Sequence, residues 1–124
     1  MSAGTNQAKC LLASAWIDAL DANDAALARA LAGCYGSPMI AADRAPLLRR
    51  VLNAFIARFG DGTVRINRCP GRINLRGMHV DTHGGFLNLM THQREVVVVS
   101  TASTDPRSVF VNADNAFPEI QFDP

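Results

Sequence analysis

Between Cys69 and Met90 the chain reads CPGRINLRGMHVDTHGGFLNLM, a run dense in side chains able to do chemistry. Arg72, Asn74, Arg76, His79, Asp81, His83 and Asn88 are crowded among glycines, with apolar, strand-like stretches on either side. Polar residues so placed point to a turn aimed at a polar ligand rather than to a packed core. The glycines let the backbone approach that ligand or take positive φ. A carboxylate such as Asp81 can accept two hydrogen bonds at once, and charge-assisted bonds are about twice as strong as neutral ones. His79, Asp81 and His83 alternate, so in a strand they would share a face and could hold a metal. A zinc site takes three or four protein ligands, however, and no fourth is evident in the chain. No metal is therefore expected.

The elements that must position this run follow from periodicity. From about Ala8 to Leu20, Leu11, Leu12, Ala15, Trp16, Ala19 and Leu20 form one face of a helix. Asp21 to Asp24 break it and supply caps for a second, alanine-rich helix ending near Gly33, with Leu27, Ala30, Leu31 and Cys34 as its stripe. Gly36, Ser37 and Pro38 read as a loop, and Asp43 to Pro46 as a helix start. In the helix that follows, Leu47, Leu48, Val51, Leu52, Phe55, Ile56 and Phe59 lie on one face and Arg49, Arg50, Asn53 and Arg58 on the other. Gly60 stops it and Asp61-Gly62 turns the chain.

Thr63 to Arg68 alternates as a strand with one solvated side, Val64 and Ile66 facing one way and Arg65 and Asn67 the other. Phe86 to Met90 begins another strand. Glu95 to Thr101, with four consecutive valines, predicts a strand buried on both faces. Val109 to Val111 and Ile120 to Phe122 are short candidates. The expected class is α+β, with N-terminal helices packed on a mostly antiparallel sheet. The 124 residues make a single partial domain, helical over 1–60 and strand-rich over 61–124.

With 48% hydrophobic and only 19% charged residues the composition is globular, not disordered. A net charge of +1 gives no electrostatic case for nucleic acid or an anionic membrane. No apolar run reaches the length of a transmembrane span, and the N-terminus lacks a signal-peptide pattern. Cys10, Cys34 and Cys69, odd in number and without a CxxC pair, read as reduced thiols in a cytoplasmic protein.

The run from Pro70 resembles the N-terminal signature of the galactokinase branch of the GHMP small-molecule kinases: Gly-Arg-x-Asn, two apolar residues, Gly, an acidic residue, His-x-Asp-Tyr, then an Asn-Gly-Gly-like turn. Pro70, Gly71, Arg72, Asn74, Leu75, Gly77, His79 and Asp81 fall in register, Gly84, Gly85 and Phe86 continue it, and Leu89-Met90 resembles the family's Leu-Pro-Met. The resemblance covers residues 47 to 101 well and the first forty-odd residues poorly. It implies the N-terminal part of a ribosomal protein S5 domain 2-like fold. It also implies phosphorylation of a monosaccharide, at the anomeric hydroxyl in this branch, by ATP and magnesium in the complete protein.

In that scheme His79 and Asp81 grip ring hydroxyls at the Gly84 turn. Arg72 is both substrate-binding and catalytic, lying near the reacting hydroxyl, where a cation favours the alkoxide and the incoming phosphoryl oxygens. Arg76, Met78 and Thr82 depart from the pattern. Met78 stands where the family has a carboxylate that accepts a bond from a hydroxyl remote from the reacting carbon. A thioether accepts weakly, so a sugar modified there, such as a 6-deoxy hexose, is favoured unless Met78 turns into the core and His83 or Arg76 supplies the contact. The family's Gly-Leu-Ser-Ser-Ser-like phosphate loop has no counterpart among the 124 residues, so no cofactor site is expected in them and the chain alone is expected to be inactive. The alternatives are a non-catalytic sugar-binding module and an oligomerisation module, the latter a homodimer through an exposed sheet edge.

Overall fold

The computed structural model describes residues 11–76, 84–86 and 88–123, with the side chain of Arg76 excepted. Eight elements follow one another: β1 (Leu11–Leu12), α1 (Ala13–Asp21), α2 (Ala25–Tyr35), α3 (Pro38–Phe59), β2 (Thr63–Arg76), β3 (Asn88–Ser100), β4 (Ser108–Phe110) and β5 (Ile120–Phe122). The class is α+β. One sheet has the order β1-β2-β3, with β1 antiparallel to β2, and β4 and β5 pair antiparallel by themselves. The chain divides into two compact units, Met1–Ile66 with Val99–Pro124, and Asn67–Val98.

In the first unit α3 packs against both α1 and α2. Ala13, Leu52, Phe55 and Val64 form its buried centre, with Trp16, Ile17, Leu20, Ile56, Ile66 and Val99 packed around them. Leu48, Leu52 and Phe55 recur at helical spacing, so the apolar stripe read from the sequence is the buried face of α3. Phe59 ends the stripe half in solvent, tilted against Phe55 at 5.3 Å between ring centroids.

Helix ends are fixed by specific groups. Asp24 caps α2, its Oδ1 accepting from the N–H groups of Ala26 (3.0 Å) and Leu27 (2.8 Å). The first N–H groups of α1 are satisfied from a distance instead. The Ala13 N–H donates to the Gly62 carbonyl, and Ser14 donates from both its N–H and its hydroxyl to the Asp61 carboxylate. These two bonds hold the Asp61 carboxyl below its ordinary range, the hydroxyl contributing most.

Three sequence expectations are corrected. The first helix is expected to include Leu11 and Leu12, but these pair with Val64 and Thr63 as β1; residues 8–10 of that expectation lie outside the described residues. The third helix starts at Pro38, not near Asp43, and runs through Pro46. Proline suits the first helical position at 38; at 46 it removes one bond to the preceding turn, at about 3 kcal/mol or more. Ala41 before it and Leu48 after it are buried on a common face, which favours an unbroken helix. Finally, the four-valine segment belongs to one long strand, β3, and is not buried on both faces: Val97 and Val99 are half-buried while Val96 and Val98 are exposed, Val96 by 65%. Among the described residues no helix is long and apolar enough to cross a membrane.

Candidate functional site

The run expected to turn after Cys69 stays extended at first: β2 carries Pro70, Gly71 and Arg72 as strand and continues to Arg76. Of the expected site residues, the described ones are Arg72 and Gly84. Met78, His79 and Asp81 lie outside the described residues, as does His83. Arg72 is exposed on β2, and among the described residues its guanidinium has no ion-pair partner. Such a cation is available to a negatively charged or hydroxylated ligand. Gly84 has φ 75°, and a Cβ added there would meet nothing within 4 Å. Glycine is needed there for the backbone conformation, not for space.

Gly71 is the opposite case. A Cβ at this position would lie 2.6 Å from His92 Nε2, 2.9 Å from His92 Cε1 and 2.8 Å from the Arg94 carbonyl oxygen. The imidazole of β3 fills the space that any other residue at 71 would need. That ring is itself anchored, because the Arg94 N–H donates to its Nδ1 at 3.0 Å. An accepting Nδ1 puts the proton of the neutral ring on Nε2.

Three residues earlier in β2 and three later in β3, Arg68 Nε donates to Glu95 Oε2 at 2.5 Å. The two contacts step in opposite directions along the strands, as in an antiparallel ladder. The Glu95 side chain is only 1% exposed and that of Arg68 30%, so the carboxylate is shielded from water and the pair partly from salt. The sequence signature assigns no role to His92, Arg68 or Glu95. Opposite charges in two strands that flank one turn were the available signal.

The remaining candidates are outside this region. Among the described residues no group of His, Cys, Asp and Glu could hold a metal; the His79-Asp81-His83 set is not among them. A cleft of about 240 Å³ is lined by Leu20, Leu27, Leu31, Ala41 and Ala45 of the three helices, with Asp24 at its side, and contains none of the expected site residues. Cys34 and Cys69 are exposed and not joined in a disulfide.

Residues 53–101 match the family described as the galactokinase galactose-binding signature, a span from the last turns of α3 to just past the end of β3. A galactokinase from Chloroflexus aggregans is 38% identical over 76 residues, which are 61% of this chain and 19% of that protein. The chain thus spans about a fifth of the length of the curated relative that it matches. No solved structure matches it. With Arg72 presented on β2, Gly84 in its turn and the signature continuous between them, this chain carries a galactokinase-like N-terminal region.

Proposed function

We propose that these residues are the sugar-binding part of a galactokinase-like sugar kinase with a GHMP-type fold. In the complete protein, a monosaccharide is phosphorylated by ATP with magnesium. The match of residues 53–101 to a galactose-binding signature is the observation that carries this reading. Asp81 and His79 accept and donate hydrogen bonds to ring hydroxyls, Met78 faces the hydroxyl remote from the reacting carbon, and Gly84 closes the turn. Arg72 stands by the reacting hydroxyl, where its charge favours the alkoxide and the transferred phosphoryl group. Phosphate cradling belongs to sequence outside these 124 residues, which hold no loop suited to it.

Calorimetric titration of the folded chain with galactose tests the proposal. Asp81→Ala weakens binding by tenfold or more, on the order of one lost charge-assisted hydrogen bond, and His83→Ala weakens it less. Equal losses from the two changes, or binding of neither galactose nor its 6-deoxy analogue by the unaltered chain, reject the assignment. Sugar binding by a complete protein that transfers no phosphoryl group identifies instead a non-catalytic module. Exposed Ile73, Leu75, Val96 and Val98 on β2 and β3 support a self-associating form of such a module.

A further inference from the structure

Arg72 can act on a sugar only if the strand that carries it is held in place, and Pro70 weakens β2 just before it. A proline donates no N–H, so β2 has no backbone donor to offer at that position. At the next residue, the His92 ring lies where a Cβ of residue 71 would be, with Nε2 at 2.6 Å from that point. The Arg94 N–H fixes the far side of the ring through Nδ1 at 3.0 Å. The Arg94 carbonyl, at 2.8 Å from the same point, closes the space further.

We propose that His92 is a positioning residue for Arg72. Its imidazole, braced by Arg94, packs on the bare backbone of Gly71 and sets where the next residue presents its guanidinium to the sugar. The inference rests on the role given to Arg72 above. Two features separate it from ordinary strand packing. In the bracing bond the Arg94 N–H donates to the ring nitrogen of the residue two positions back, a local bond outside the ladder. The contact also falls on the residue directly before the only signature cation in β2 that is described with its side chain.

The test uses the 124-residue chain and galactose, read by amide chemical shifts during titration. His92→Asn keeps a side-chain acceptor for the Arg94 N–H but takes the ring off Gly71; His92→Phe keeps a ring and drops the acceptor. His92→Asn weakens galactose binding about tenfold, the scale of a small misplacement of one binding group. His92→Phe, which keeps ring contact but loses the brace, weakens it less, by about threefold. In an Arg72→Ala background, His92→Asn costs nothing further, because the two residues act through one contact with the sugar. A loss from His92→Asn that is equal in both backgrounds overturns the inference and leaves the sugar site standing, as does a His92→Phe that is as weak as His92→Asn. Absence of galactose binding by the unaltered chain, or binding indifferent to Arg72→Ala, removes the sugar contact of Arg72 and the inference with it. Amide spectra of each variant without sugar report whether the fold is kept.

Discussion

In the unit that holds the helices, the enclosed side chains are apolar: Ala13, Leu52 and Val64 are at most 1% exposed, and Phe55 is 7%. Among the described residues of Asn67–Val98 no hydrophobic side chain is buried, while the Glu95 carboxylate is 1% exposed against Arg68. The first unit is therefore held by volume and area, which are non-directional and additive over many contacts. The second is held by strand pairing and by a few contacts that allow one geometry each. Free energy and precision are supplied in different places. A region that must present a guanidinium to a hydroxyl gains more from the second kind of contact than from the first.

The largest effect should come from the apolar unit. Leu52→Ala removes a fully buried side chain next to Phe55 and Val64, and should destabilise the chain by about 2–5 kcal/mol in urea unfolding. A loss below about 1 kcal/mol would mean that the helices do not rely on this packing. Glu95→Ala comes next. It leaves Arg68 without its carboxylate in a partly shielded place, at about 1–3 kcal/mol. Its signature is local: amide hydrogen exchange should rise in residues 67–98 while α3 keeps its protection. Uniform acceleration in both units would break the contrast between them.

The smallest effect belongs to an exposed pair in the first unit. Arg58 donates to both carboxylate oxygens of Glu119, at 2.7 and 3.1 Å, and Gln121 adds a third bond. Together, with the Arg58 bonds largest, they lower the Glu119 carboxyl from 4.5 to about 2. A depressed carboxyl stabilises the fold fully above its unfolded value and loses that contribution as pH falls through the folded one. The advantage of the unaltered chain over Glu119→Gln in thermal unfolding should thus be present above pH 4.5 and fade toward about pH 2. Salt should shrink it, since both groups meet solvent.

Helix existence and the buried face of α3 were legible because apolar side chains recur at helical spacing and nothing competes with that signal. The α3 start was not, since an interior proline is a strong breaker by local rules and only packing on both sides of Pro46 keeps the helix whole. β1 was hidden for a similar reason: Leu11 and Leu12 fit the helix stripe, and their pairing with residues 63 and 64 is a long-range event. Four valines in a row imply burial on both faces, but in β3 they alternate between half-buried and exposed. At the candidate site the residue types carried the family likeness through Arg72 and Gly84. They could not reveal that Gly71 is needed for the sake of His92, because that contact joins two strands across a turn.

The cap on α1 bears on the order in which the chain organises itself. At nine residues α1 is shorter than the roughly 12–15 that an isolated helix needs in water. Its first-turn donors find their acceptors at Asp61 and Gly62, and Ser14 is 47 residues from Asp61. Closing so long an interval costs entropy before the contacts that reward it exist. By contrast α2 and α3 are joined by only Gly36 and Ser37, and meet at little such cost. The α2–α3 hairpin is thus the local seed, and α1 becomes a helix only once the turn after α3 has been made. During synthesis from the N-terminus, α1 is thus the last of the three described helices to take its final form.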